Sequence, residues 1–410
     1  MDRDVAIVGL GRIGLPLALS FADRGLRTVG VDVDPERLEA VRAGRMPWQE
    51  TGTEELLGRV GDRLEVTDRV GDAAGARDLV LTLGTPSFAH VEIDISDIRS
   101  ALDDLLPVLE EDHLIVLRST VAPGTTEWVA GYLERRLGFR SHVAHVPERI
   151  AAGRFLEEIA TLPCIVGGVD EASTERAAAL FGVLGGPIVR TTPVQAELAK
   201  IWTNILRYTH FALPNLLMMD CEQYGANVFA VIDLINRDYP RGGMARPGLT
   251  AGTCLRKDFA FSEERSNAPG MLLAVSRVNE SVPRFLVDGM KRRLGSLAGR
   301  KVAVLGLAFK RDTDDERDSL SAKLIRLLER ELADVAVHDP RVARLTAPFG
   351  DVVEDADAVV VATNHSEFER PGLLHVLADG AARDCLVVDP WDSFGTGQVF
   401  AYVAEVAALT

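Results

Sequence analysis

The sequence predicts an α/β protein with two doubly wound domains joined by a long central helical region. Three observations carry this. Short β-branched runs that stop at Gly, Asp or Ser/Thr alternate with segments of helical period. That series occurs twice, near the start and near the end. Between the two lies a long stretch of helical period. The first series is VAIVGLGRIG (5–14), VGVDVD (29–34), DLVLTLGTP (78–86) and LIVLRST (114–120). The second is VAVLGLAFK (302–310), VAVHDP (335–340), ADAVVVATNH (356–365) and LVVDP (386–390). Continuous apolar runs in this alternation are buried parallel strands of βαβ units, hence two Rossmann-like domains. In the middle, Thr192-Pro193-Val194-Gln195 starts a helix: Thr as N-cap, Pro at the first helical position, Gln closing a capping box. IWTNILRYTHFALPNLLMMD continues it, with a kink expected at Pro214. An Ala/Gly/Pro-rich loop over 239–253 and a helix over about 267–294 follow. The expected domains are 1–191, 192–297 and 298–410, in keeping with a length of 410 residues.

Hydrophobic residues are 47% and charged residues 26%, which excludes disorder as the main state. A net charge of −16 excludes a general nucleic-acid binder. No run of 18 apolar residues suits a membrane span. The chain enters a strand within four residues, so no signal peptide and a cytoplasmic location are expected. Cys164, Cys221, Cys254 and Cys385 form no CxxC pair, and the eight histidines show no ligand spacing, so no metal is expected. Only six of the 45 basic residues are lysine (Lys200, Lys257, Lys291, Lys301, Lys310 and Lys323), which directs attention to them.

Gly9-x-Gly11-x-x-Gly14 follows the first strand and opens a helix, in the setting that cradles a dinucleotide pyrophosphate. Asp32 ends the second strand, where an acid accepts from a ribose 2′-hydroxyl and repels a 2′-phosphate, so NAD is expected. Gly306-Leu307-Ala308-Phe309-Lys310 lacks the third glycine and ends on a cation; it reads as the holder of a different phosphate-bearing ligand, or as a duplicated turn without one. Cys254 stands after Gly252 and before Arg256 and Lys257; nearby cations favour a thiolate, although a lone Cys is also a common buried apolar residue. Cys164, Cys221 and Cys385 read as structural. Glu197, Lys200 and Asn204 share a helix face. Lys200 is a candidate for oxyanion stabilisation or proton transfer, and the alternative is an exposed ion pair with Glu197. Ser119-Thr120 and Pro147-Glu148-Arg149 follow strands, where open α/β sheets bind ligands.

These motifs together resemble the UDP-glucose/GDP-mannose 6-dehydrogenases. The resemblance spans essentially the whole chain: GLGRIG, Thr85-Pro86, STVAPGTT, the PER segment, AELAKxxxN, GTCLRKD and LGLAFKRDTDDERDS. It implies NAD as cofactor, a nucleotide sugar (a UDP-hexose) as substrate and a homodimer through the central helix. It implies two successive hydride transfers, with Cys254 capturing the C6 aldehyde as a thiohemiacetal that becomes a thioester. Lys200 and Asn204 would stabilise the oxyanion. Asp258, with Lys200 and Thr120, would order the hydrolytic water, and Glu148 would assist base chemistry. Gly9, Gly11, Arg12, Ile13, Gly14, Asp32, Thr85, Pro86, Ser119 and Thr120 would bind the cofactor. Glu148, Arg149, Lys200, Asn204, Arg207, Gly248, Gly252, Phe309 and Lys310 would hold the substrate. VPERIAAG and Arg207 are similar to members acting on N-acetylated UDP-hexosamines, whereas AGTCLRKD is closer to the UDP-glucose type. Ala251, Arg256, Asn215-Leu216, Ser319-Leu320 and Asp389-Pro390-Trp391 depart from common family patterns. Two other readings are a two-electron hydroxyacid or phosphogluconate-type dehydrogenase, which has no need of Cys254, and a non-catalytic NAD or nucleotide-sugar binding protein.

Overall fold

A computed structural model describes residues 3–85, 87–88, 92–250, 252, 255, 257–258, 262 and 270–408. The chain divides into two compact units, Met1–Thr203 with Ala260–Glu264, and Asn204–Phe259 with Arg265–Thr410.

The first unit contains β1 (Arg3–Val8), β2 (Thr28–Val31), β3 (Leu64–Thr67) and β4 (Ala76–Leu81). A small ribbon of β5 (Ser87–Phe88) and β6 (Glu92–Ile93) follows. Then come β7 (Leu114–Leu117), β8 (His142–His145), β9 (Cys164–Gly168) and β10 (Ile188–Thr191). The main sheet has the order β10-β9-β8-β7-β4-β1-β2-β3. Its pairings are parallel except β8 with β9. Alternate residues of β1 enter opposite faces: Val5 and Ile7 join one apolar cluster, Ala6 and Val8 the other. Burial on both faces is why these strands read as unbroken apolar runs. The chain winds outward in both directions from β1, so the carboxyl ends of β1 and β4 form the crevice where such sheets take ligands.

In the second unit β11 (Lys301–Leu305), β12 (Asp334–His338), β13 (Ala358–Val361), β14 (Leu386–Val388) and β15 (Phe400–Tyr402) form one sheet. Its order is β12-β11-β13-β14-β15, with only β15 antiparallel. The neighbours of β11 repeat those of β1. The repeat reaches individual bonds: Gly9 N donates to Val31 O and Gly306 N to His338 O, both at 2.8 Å.

One helix runs from Pro193 to Tyr224. It begins as the sequence predicts, with Gln195 N donating to Thr192 Oγ1 and Thr192 N to Gln195 Oε1, each at 3.4 Å. Pro214 lies inside the helix without ending it. The next residue, Asn215, is fully buried and holds a polar network. Its Nδ2 donates to Asn279 Oδ1 at 2.9 Å and its Oδ1 accepts from Gly248 N at 2.8 Å. Asn279 Nδ2 in turn donates to Tyr208 O at 3.1 Å. This network joins the long helix, the helix Met271–Leu294 and the irregular segment 237–250.

Three of the scarce lysines serve structure. Lys301 Nζ donates to Asp351 O and Glu354 O, Lys323 Nζ to Glu280, and Lys291 pairs with Glu331. Rarity alone therefore does not mark a lysine as functional.

Asn279→Ala removes the acceptor of Asn215 Nδ2 in the interior and the bond onto Tyr208 O. It is expected to cost roughly 2–3 kcal/mol in urea unfolding; an unchanged midpoint would show that the network is dispensable.

Candidate functional site

At the carboxyl end of β1 the three glycines have three different jobs. Gly9 has φ +96°, and a Cβ there would stand 3.1 Å from Thr82 O. A Cβ on Gly14 would lie 1.8 Å from Gly9 O, so only glycine lets the helix Gly14–Asp23 sit against the turn. A Cβ on Gly11 would meet nothing within 4 Å: its backbone faces open space. That space belongs to a cavity of about 410 Å³ lined by Gly9, Gly11, Asp32, Arg37, Thr82 and Leu83 among others. Asp32 is buried. Its Oδ2 accepts from Leu10 N at 2.6 Å and Arg37 at 2.6 Å, and its Oδ1 from Asp34 N at 2.9 Å. A carboxylate has about four acceptor positions, so one remains for a ribose hydroxyl. The open Gly11 backbone and this spare position fit NAD. Arg37 also pairs with Asp34 at 3.1 Å, so its charge is doubly balanced beside the place where a 2′-phosphate would fall. Arg12 and Arg37 both approach the Trp48 ring, at 5.6 and 5.9 Å from its centroid. Ile13 is the N-cap residue of the Gly14 helix.

The loops after β4 and β7 are stitched together. Ser119 Oγ donates to Leu83 O and Thr85 Oγ1 to Thr120 O, both at 2.7 Å. Pro86 lies outside the described residues. Glu148 is buried; Arg118 donates to its Oε2, and Ile150 N to its Oε1 at 2.6 Å. Arg118 NH1 also donates to Val146 O at 3.1 Å, and its guanidinium covers the Phe181 ring at 4.9 Å. Arg149 instead donates to Pro163 O.

Glu197 and Lys200 are both buried, so the exposed ion pair does not form. The Glu197 carboxylate accepts from Gly124 N at 2.6 Å, Thr126 N at 2.8 Å and Thr126 Oγ1 at 2.6 Å. Burial raises its pKa despite these donors. His145, at the end of β8, is fully buried with Nδ1 3.0 Å from Leu117 O. Burial is the main cause, with the charges of Arg118 and Lys200 adding, that pushes its imidazole down to about 3. It is neutral at pH 7, and its Nε2 has no hydrogen-bond partner among the described residues.

In the second unit, Asn204 Nδ2 donates to Asp258 Oδ2 at 2.6 Å, with both residues buried. A Cβ on Gly252 would lie 2.7 Å from the Phe309 ring, so Gly252 and the segment that follows Gly306 are packed face to face. A Cβ on Gly248 would lie 2.4 Å from the Trp391 indole, whose Nε1 donates to Ala362 O at 3.2 Å. Thr313 Oγ1 closes the turn on Lys310 O at 2.9 Å. Asp339 occupies the place of Asp32 in the repeat, but it takes three amides where Asp32 takes two: Leu307 N at 2.6 Å, Arg341 N at 2.8 Å and, in addition, Ala308 N at 2.9 Å. Burial works to raise the pKa of Asp339; the bond from His365 and the Ala308 and Leu307 amides outweigh that and bring it to about 2. Asp312, His365 and Glu367 lie close enough together to share a metal, yet both ring nitrogens of His365 face protein partners, Asp312 N and Asp339, and Glu367 pairs with Arg341. Arg207 is exposed on the long helix. Cys254, Ala251 and Arg256 lie outside the described residues. Burial raises the thiol pKa of Cys164 and Cys221, and that of Cys385 to about 12, which disfavours thiolate at all three.

Sequence reasoning missed Arg37, Arg118 and His145, and it placed Glu197 on the face of Lys200 and Asn204 without its partners Gly124 and Thr126. Arg37 had a local signal, since it stands in the first turns of the helix after Asp32. The other three act through partners distant in sequence.

Three sequence models of the UDP-glucose/GDP-mannose dehydrogenase family match the chain. They are the NAD binding domain over residues 3–184, the central domain over 194–281 and the UDP binding domain over 303–394. A UDP-N-acetyl-D-mannosamine dehydrogenase of Pyrococcus horikoshii is 34% identical over 378 residues, 89% of this chain and 90% of that protein. A solved structure of a UDP-D-ManNAc dehydrogenase from Pyrococcus horikoshii has a TM-score of 0.86 at 32% identity, covering 94% of each chain. That of a UDP-glucose dehydrogenase from Pyrobaculum islandicum has a TM-score of 0.86 at 30% identity, covering 95% of this chain and 94% of the other.

The His145 environment makes a pH prediction. Between pH 6.5 and about 3 the unfolded chain binds one more proton at this residue than the folded one, so its contribution to stability is lost as pH falls through that window. The slope is at most about 1.4 kcal/mol per pH unit. Urea unfolding at pH 7 and pH 5 is expected to show a smaller acid loss in His145→Asn than in the wild type; equal losses would refute the assignment.

Proposed function

The chain belongs to the UDP-glucose/GDP-mannose dehydrogenase family and is an NAD-dependent nucleotide-sugar dehydrogenase, and we propose that it carries the C6 hydroxyl of a UDP-hexose through four electrons to the uronic acid. The sugar is glucose or an N-acetylhexosamine; with glucose the product is UDP-glucuronate. The observation that carries this reading is the buried Asn204–Asp258 hydrogen bond. Asp258 is four residues beyond Cys254, and Asn204 is one helical turn beyond Lys200. The bond fixes Asp258 to the helical turn that follows Lys200.

NAD, when bound, accepts one hydride in each of the two oxidations. Gly9, Gly11, Gly14 and Asp32 hold it, with Arg12, Ile13, Thr85, Pro86, Ser119 and Thr120 around it. Lys200 and Asn204 donate to the C6 oxygen as negative charge develops there. The Cys254 thiolate adds to the aldehyde carbon and a proton goes to the C6 oxygen, which retains the intermediate on the enzyme. As the second hydride leaves, the C6 oxygen gives up its proton to solvent and the thioester carbonyl forms; its carbon then takes the oxygen of a water, the C–S bond breaks, and thiol and carboxylate separate. Asp258, Lys200 and Thr120 order that water, and Glu148 helps to remove its proton. Glu148, Arg149, Arg207, Gly248, Gly252, Phe309 and Lys310 hold the nucleotide sugar.

We also infer a homodimer through the central helix, in a division of the chain into 1–191, 192–297 and 298–410. Leu198, Trp202, Leu206, Leu213 and Leu216 are 39–56% exposed at spacings that put them on one side of that helix, which supports such a partner. Among the described residues no helix is long and apolar enough to cross a membrane. A cytoplasmic location and a place in polysaccharide biosynthesis complete the reading.

Cys254→Ser is expected to lower uronic acid formation by more than about 10³-fold, measured by chromatography of the nucleotide-sugar product. Undiminished acid formation would remove the thiol from the mechanism.

A further inference from the structure

We propose that Glu197 is a positioning residue for this oxidation: its buried carboxylate pins the loop that carries Ser119 and Thr120 to the helix that carries Lys200. The role rests on the function proposed above. The helix Thr125–Leu137 starts at Gly124, with φ +91° and no side-chain cap. Its first amides need acceptors, which a neighbouring Ser or Asn normally supplies. Here the acceptor comes from another helix. Glu197 takes Gly124 N, Thr126 N and Thr126 Oγ1, all within 2.8 Å, and none of its surface reaches solvent. A local cap would satisfy the helix end equally well but would tie it to nothing. A carboxylate from the helix Pro193–Tyr224 instead forms a cross-link.

What the cross-link joins gives it meaning. The loop is fixed on its other side by Ser119 Oγ on Leu83 O and by Thr120 O accepting from Thr85. With Glu197 in place, both ends of 119–126 are held. Lys200 follows three residues later on the same helix face. The three bonds that Glu197 accepts all come from the loop, not from Lys200. One side chain thus sets the offset between a hydroxyl and an ammonium assigned to the same water.

The test is steady-state and binding measurement on Glu197→Gln, Thr126→Val and the double variant. Gln turns one acceptor into a donor facing an amide; Val removes only the hydroxyl bond. With saturating nucleotide sugar, E197Q is expected to lower kcat by about 10- to 100-fold, the scale of an ångström of misplacement. NAD affinity, read by fluorescence titration, is expected to fall by less than kcat, because the turn at Gly9 and Asp32 is untouched and only the contacts of Ser119 and Thr120 shift. T126V is expected to lower kcat by a few fold, and the double variant by no more than E197Q alone, since both act through one contact. Unchanged kcat in both single variants overturns the proposal. So does a parallel fall of kcat, NAD affinity and thermal midpoint, which would mark a purely structural acid. A wild-type protein that forms no NADH with any nucleotide sugar would overturn the functional reading instead, and the role with it.

Discussion

The arrangement depends on the pitch of one helix. At about 100° per residue, Glu197, Lys200, Asn204, Tyr208 and Asn215 line one side of Pro193–Tyr224, and all five are buried. Leu198, Trp202, Leu206, Leu213 and Leu216 lie on the other side and are exposed. A polar group buried in this way must find partners, and those partners are loops. Glu197 fixes 124–126, Asn204 fixes Asp258 and Asn215 fixes Gly248. Each loop carries or adjoins residues assigned to the chemistry. The requirement that buried polar atoms be satisfied thus gives each of these loops, within its own unit, one place along its part of the helix.

The duplicated βαβ units show how one turn is put to two uses. In both, a glycine follows the first strand and an aspartate follows the second. In the first unit Gly11 leaves its backbone open and Asp32 keeps an acceptor position, which suits an NAD pyrophosphate and ribose. In the second, Asp339 closes onto the amides of Leu307 and Ala308, so those amides are not offered to a phosphate. Phe309 turns its ring to Gly252. The loss of two glycines from the motif goes with a turn that packs against the Gly252 segment.

Much of this was legible in the sequence because it is local. Strand periodicity, the GxGxxG turn and the Thr192–Gln195 capping box depend on neighbours a few residues apart. The exposed ion pair between Glu197 and Lys200 was the natural local alternative, and it failed for a non-local reason: Gly124 and Thr126 lie about seventy residues away and compete for the same carboxylate. Arg118 and Glu148 are thirty residues apart, so neither position betrays the buried pair. His145 gave no signal, because an imidazole sealed against Leu117 O looks in sequence like any strand residue. Gly252 and Gly248 were singled out by family pattern, but their physical cause, an aromatic ring lying against each, comes from chain more than fifty residues distant.

The central claim is a four-electron oxidation, and its most direct test is a count. NADH formed per molecule of limiting nucleotide sugar should be measured with UDP-glucose, UDP-N-acetylglucosamine, UDP-N-acetylmannosamine, GDP-mannose and TDP-glucose. The account predicts about two NADH per sugar for a UDP-hexose, the two-hydride stoichiometry of thioester chemistry. One NADH per sugar, with the aldehyde released, would contradict it.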